Sequence, residues 1–246
     1  MVRLPASERL LALATAATEV FGRLGYRGAH TADVAAKAGM STGTLFTYVE
    51  SKEALFHLVF IHGFDASSKA TLSLPLPSPG PGVTLAVIEH GLRQIPMPRI
   101  RAALAMDRPD DVAAELRGIV EERYTLIERY SPMLAVIERC SAEMPELEAA
   151  WFGRFRAETF SDLDRYLEHR MEDGLLRPMP DSRVAARVVT ESLSWFAWHR
   201  HQGRDSSLYD EEAVRRTVVE FVCSALIITS GGPEQVPTGD TRNFNH

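Results

Sequence analysis

The sequence predicts an all-α protein: an N-terminal three-helix head with a helix-turn-helix, followed by a larger helical body. Three observations predict it. Apolar residues recur every three or four positions along most of the 246 residues. Proline and glycine clusters punctuate those runs, and no stretch shows the period-two alternation of a half-buried strand. The chain divides at the sequence level into residues 1–64, residues 65–230 and a tail, 231–246, whose Gly, Pro and Asn lack periodicity and read as disordered.

In the head, Leu10, Ala14, Ala17, Phe21 and Leu24 form one face of a helix that ends at Gly25. Thr31 is placed to cap a second helix, with Asp33 favourable at its positive end. Val34, Ala35 and Ala38 form the inner face of that helix, and Ala35 is small where two helices would cross. Gly39 supplies the left-handed residue that ends it, and Met40 drops towards the core. Ser41 caps a third helix anchored by Leu45. The outer face of that helix keeps Thr42, Gly43, Thr44, Thr47 and Tyr48, short polar groups suited to base edges and phosphates in a major groove. Ser51 caps a further helix carrying Leu55, Leu58 and Val59, expected to run towards Leu72. Lys52 sits in its first turn, where a cation opposes the helix dipole by about 0.3–1 kcal/mol and a phosphate would reverse that sign.

Residues 75–82, Pro-Leu-Pro-Ser-Pro-Gly-Pro-Gly, form a stiff connector. The body then reads as helices over 83–95, 100–106 and 110–130, a short helix from Pro132 to Ser141, a long one from Pro145 to Glu172 ended by Gly174, and a final pair over 181–201 and 210–229.

Residues 10–58 resemble the DNA-binding domain of the tetracycline-repressor (TetR) family of regulators. The matching residues are Ala17, Phe21, Gly25, Tyr26, Thr31, Ala35, Ala38-Gly39, Ser41, Gly43-Thr44-Leu45, Tyr48, Ser51-Lys52-Glu53 and Leu55. Two positions depart: Phe46 stands where the family usually has Tyr, and Val49 where it usually has Phe. The first removes a hydroxyl that would meet a phosphate; the second is a smaller core plug. The resemblance implies a C-terminal body that binds a ligand and dimerises through its last two helices. It implies DNA contacts from Thr31, Thr42, Gly43, Thr44, Phe46, Thr47, Tyr48 and Lys52. The function implied is a regulator, a repressor released from a palindromic operator by a small apolar or aromatic effector.

Composition bounds the alternatives. The net charge of −6 is uneven: residues 1–64 hold six Lys/Arg and five Asp/Glu, and the remainder carries −7. A weakly basic head predicts a modest salt dependence, with specificity in the groove face. Cys140 and Cys223 are too few for a disulfide framework and fit a reducing cytoplasm. The polar opening residues do not read as a signal peptide, and no apolar run is long enough for a bilayer. Gly39-Met-Ser41-Thr-Gly43 matches a G-x-S-x-G nucleophile elbow by letter, but that elbow follows a strand, and Ser41 follows a helix. The pairs His57/His62 and His199/His201 diverge on their helices, so no metal is expected, and without a Walker-type loop or G-x-G-x-x-G no cofactor is expected.

The last two helices are apolar over more than one stripe. Val184, Val188 and Trp195 flank Ala185, Val189, Leu193 and Phe196 on the first. On the second, Val214, Val218, Phe221, Ala225 and Ile228 flank Val222 and Leu226. Such wide faces point to a second burial partner, either further helices of the same chain around a central pair or, as the resemblance implies, a second copy in a homodimer through 181–201 and 210–229. Met106, Met133, Trp151, Phe155 and Trp195 are the expected pocket lining. Two rivals remain: an all-α enzyme with a vestigial head, drawing on Glu121, Glu122, Arg123, Glu128, Glu138 and Glu143, and a DNA-binding regulator without small-molecule input.

Overall fold

The long periodic runs and glycine stops become helices in the computed structural model, which describes residues 5–64, 73–202 and 208–228. The head is α1 (Ala6–Gly28), α2 (Thr31–Lys37), α3 (Thr42–Leu45) and α4 (Lys52–Phe64). The body is α5 (Val83–Gln94), α6 (Pro98–Leu104), α7 (Val112–Ser141), α8 (Pro145–Glu148), α9 (Arg156–Glu172), α10 (Ser182–Ala197) and α11 (Glu211–Leu226). Among the described residues there are two isolated bridges and no strand. The tail at 231–246 and the stretch of α4 expected over 65–72 lie outside the described residues.

Two apolar clusters organise these helices, and α7 belongs to both. One joins the head to α5 and the C-terminal half of α7, through Phe21, Leu55, Phe56, Ile88, Val136, Ile137 and Cys140. The other joins α6, the N-terminal half of α7, α9, α10 and α11, through Ile119, Tyr124, Leu163, Leu193 and Val218. Helix α1 packs along α7 more extensively than any other two elements pack. Gly25 lies at one end of that contact, facing Glu143 just past α7. Its φ of +76° kinks α1, and a Cβ there would lie 2.5 Å from the Glu143 carboxylate. That carboxylate accepts the Arg27 N–H at 2.6 Å.

Three expectations are corrected. Pro132 does not break α7, which runs unbroken from Val112 to Ser141. A proline there removes one backbone bond at a cost of about 3 kcal/mol. Ser131 Oγ donates to the orphaned Glu128 carbonyl at 2.9 Å, and Met133, Leu134, Val136 and Ile137 are buried just beyond. Burial on the C-terminal side offsets the proline. The helix expected from Pro145 to Glu172 changes winding, with a π-helical segment, Ala149–Phe155, between α8 and α9. Finally, the α2 cap is His30 rather than Thr31, which is the first helical residue; Asp33 accepts the His30 N–H at 3.3 Å.

The proline-rich connector is tied back to the head. Leu76 donates its N–H to the Tyr48 carbonyl at 2.8 Å and accepts the Glu50 N–H at 3.0 Å. Ser78 N–H donates to Glu50 Oε2 and Ser78 Oγ to Ser51 Oγ. Val49 is fully buried, with Leu76 held alongside it, so the connector packs where the plug is small.

Candidate nucleic-acid interface and buried cavity

The turn between α2 and α3 forms as its residues dictate. Gly39 takes φ +66°. Ser41 is extended, and its Oγ accepts the Thr44 N–H at 3.1 Å. That bond makes Ser41 a cap for α3. The Thr44 hydroxyl lies 2.9 Å from the same oxygen, and Thr47 Oγ1 donates to the Thr44 carbonyl at 2.7 Å. Leu45 is buried beneath, and Met40 is only partly buried against the core. Thr42, Gly43, Phe46 and Thr47 are exposed, and Thr31, Thr44, Tyr48 and Lys52 half-buried, so none of the eight predicted DNA contacts lies inside the core.

Lys52 has a protein partner that the sequence did not reveal. Its ammonium lies 4.8 Å from the centroid of the Tyr26 ring and 3.5 Å from the Arg27 carbonyl, near the C-terminal end of α1. The partial negative charge of that helix end offsets the unfavourable dipole of α4. Tyr26 is held in turn by donating its hydroxyl to Glu53 at 3.0 Å.

The body contains a cavity of about 100 Å³ between α7, the π segment, α9 and α10. Trp151 and Phe155 line it, stacked at 5.3 Å with planes 17° apart. They lie in the π-helical turn, whose wider winding rotates successive side chains relative to an α-helix. The other three predicted lining residues lie elsewhere. Met133 is buried against Gly63 in the joint between head and body. Met106 is 49% exposed beyond α6, and Trp195 is 48% exposed on the outer face of α10. Size and hydrophobicity did not distinguish a cavity wall from a joint or a surface row.

The polar lining was missed. Arg123 is buried; its Nη2 donates to Thr190 Oγ1 at 3.2 Å, while Nε and Nη1 have no partner among the described residues. Trp151 Nε1 is likewise buried without a partner. Arg156 also lines the cavity, but Glu191 neutralises it at 2.8 Å and is also bound by Arg187. A signal for Arg123 was present: it occupies an otherwise apolar row at helical spacing, Leu116, Ile119, Arg123, Ile127, Tyr130 and Leu134. Arg123, grouped in the sequence with its acidic neighbours, is instead buried against the cavity. Those carboxylates disperse: Glu122 accepts the Arg99 N–H, Glu128 pairs with Arg215, and Glu143 holds Arg27.

Among the described residues, no group of three or more His, Cys, Asp or Glu is placed to hold a metal. No described helix is long and apolar enough to cross a membrane. Both cysteines are buried, and burial pushes the Cys140 thiol up to about 12.

The outward rows of the last two helices stay uncovered. Val184, Val188 and Trp195 on α10, with Phe221, Ala225 and Ile228 at its neighbour's edge, are exposed, whereas Val189, Leu193, Val218 and Val222 face the core. Between the two helices runs an apolar groove of about 350 Å³ lined by Val184, Val188, Phe221 and Ala225.

Comparison with known proteins bears on both regions. Residues 13–59 match the family described as bacterial regulatory proteins, tetR family. Residues 115–226 match the AefR-like transcriptional repressor, C-terminal domain. No protein of curated function matches the chain in sequence. Among solved structures, the ketosteroid transcriptional regulator KstR2 of Mycobacterium tuberculosis is 17% identical, over 92% of this chain and 98% of that one, with a TM-score of 0.57. A bacterial regulatory protein in the tetR family from Rhodococcus RHA1 is 20% identical, over 89% and 97%, with a TM-score of 0.51.

Proposed function

Since the chain belongs to the TetR family of DNA-binding transcription regulators, we propose that it is a homodimeric repressor, released from a palindromic operator when a small effector fills the α7–α10 cavity. The observation that carries this reading is the double duty of α7. Its middle lines the cavity with Arg123, Leu126, Ile127, Tyr130 and Leu134. Within the next two turns, Val136, Ile137 and Cys140 are buried with the head residues, and Glu143 binds Arg27 just past the helix end. A shift of α7 on effector binding would therefore tilt the head. Two heads held at a fixed spacing read two half-sites one helical turn of DNA apart, and a tilt breaks that match. The repressor sign draws on the family matched by the C-terminal region. The regulatory role, rather than an enzymatic one, draws on the dispersal of the body carboxylates.

Electrophoretic binding to the DNA upstream of its own gene, with and without cell extract, tests the reading. Specific binding that extract weakens is expected; absent binding, or binding insensitive to salt, would sink it. Two variants separate the roles on the head. Lys52→Ala should weaken binding to all sequences and flatten the salt slope by about one contact. Thr44→Ala should keep that slope and lose discrimination of about 1 kcal/mol between operator and a single-base variant. Identical behaviour of the two variants would refute the assignment.

A further inference from the structure

Of the three arginines that the body buries, Arg123, Arg170 and Arg200, the first two are held in opposite ways. Arg170 is fully buried and saturated: its guanidinium donates to the carbonyls of Ala103, Met106 and Asp107 and to both oxygens of Glu115, all within 3.2 Å. Arg123 is 4% exposed and makes one bond, to the neutral hydroxyl of Thr190. Its Nε and Nη1 are left without a protein acceptor among the described residues. A buried cation with unpaired donors is strongly unfavourable, and natural interiors avoid it.

The position of Arg123 supplies the missing partner's chemistry. It lines the 100 Å³ cavity, whose remaining walls are largely apolar and aromatic: Leu126, Tyr130, Trp151, Phe155 and Phe160 among them. The second cation, Arg156, is already matched by Glu191. Glu191 is also claimed by Arg187, so it is not free to serve Arg123. Burial pulls the Arg123 guanidinium down to about 10, opposed by Asp162 and Glu122, and it keeps its charge at neutral pH. Beside the cavity lies a positive charge with no hydrogen-bonded carboxylate, its Nε and Nη1 unpaired among the described residues, as is the indole N–H of Trp151; Nη1 and the second N–H of Nη2 make a parallel pair. Planar fork donors match a carboxylate in two parallel bonds. The volume bounds the rest of the ligand, because a 150 Å³ apolar cavity just accepts benzene. The space here is smaller but open to solvent at its mouth, so a single ring or a short chain enters by occupying the mouth as well.

We propose that the effector is a compact organic monocarboxylate, its carboxylate held by Arg123 and its apolar body packed against Trp151 and Phe155. This inference rests on the reading of the chain as an effector-released regulator, and it names that effector's chemical class.

The test is calorimetric titration of the full chain, in chloride-free buffer, with benzoate and hexanoate and with their neutral counterparts, benzyl alcohol and hexan-1-ol. For the wild type, at least one acid should bind about tenfold or more tightly than its own alcohol, as expected of hydrogen bonds to a charged group. Arg123→Met should erase that preference and leave alcohol binding within about threefold, while its ligand-free melting temperature does not fall, because an unpaired buried charge is replaced by an apolar chain. Arg123→Lys should retain part of the preference. The wild-type comparison needs no variant and decides even if Arg123→Met does not fold. Failure of both acids to bind, equal binding of acid and alcohol, or a preference that survives in Arg123→Met would each overturn the proposal. The two readings fail separately. If an acid binds through Arg123 and the operator complex does not respond, the anion site stands and the regulatory reading falls. If alcohols release the operator as well as acids do, and Arg123→Met responds like the wild type, the anion site falls and the regulatory reading stands.

Discussion

Two left-handed glycines in the head do different work. At Gly39, no atom lies within 4 Å of where a Cβ would stand, so alanine would suffer only the strain of φ +66°. At Gly25, alanine meets that strain and also the Glu143 carboxylate that binds Arg27. Gly39→Ala should therefore cost about 1–2 kcal/mol, and Gly25→Ala clearly more; thermal melting of the two variants checks the order, and a larger loss at Gly39 would contradict it. Single residues with a local job were the most legible. Gly39 and Ser41 do what turn and cap chemistry requires, and Asp33 complements the start of α2 as expected. The α2 cap slipped by one, to His30, because a threonine at that position can either cap a helix or begin it, and tertiary packing settles which. Lys52 was legible as an anomaly, but its company, the Tyr26 ring and the Arg27 carbonyl, comes from a helix 25 residues earlier.

Elements were legible wherever periodicity and stop signals agree, as in α1, α4, α10 and α11. They were misjudged where proline argued for a break and packing overruled it. In α7 the Ser131 hydroxyl satisfies the carbonyl that Pro132 strands, and the buried residues beyond keep the helix whole. The π-helical turn at Ala149–Phe155 left no mark in the spacing of apolar residues. Helix α4 yields a pH prediction. His57 is buried, with Nδ1 at 3.1 Å from Thr84 Oγ1, and burial holds its pKa below the usual 6.5. The unfolded chain then takes up a proton that the folded ring refuses. Its contribution is fully present above pH 6.5 and is lost as the pH falls towards the lowered folded value. Urea midpoints measured between pH 5 and 8 should fall on acidification, and His57→Gln should flatten that fall. An unchanged slope in the variant would assign the pH dependence to other groups.

For the whole molecule, the decisive faces are those that one chain leaves bare. Phe221 is 75% exposed, and Val184 and Val188 are each 59% exposed, too much apolar surface in one place for a solvated helix pair. If two copies meet there, a charge at the centre separates them without harming the isolated chain. Phe221→Asp should sediment at half the wild-type mass and keep its helical spectrum. It should also lose operator affinity by about a hundredfold or more, since each head then binds alone. Retention of a dimer by this variant would move the interface elsewhere.

What the sequence determined by itself is the class of the protein and its reading head. Helical period, glycine stops and serine caps act within a few residues, so they can be read in a line, and the same is true of the two apolar rows on α10; on α11, Val214 and Val218, read in one row with Phe221, turn to the core with Val222 instead. Which bulky side chains surround a cavity was decided only by the tertiary structure. Met133, Met106 and Trp195 share their chemistry with Trp151 and Phe155, and only the path of α7 and the widened turn before α9 separate wall from joint and surface. The unpaired charge of Arg123 is a tertiary fact for the same reason. Whether a buried donor has an acceptor depends on groups distant in sequence, such as Thr190, 67 residues away.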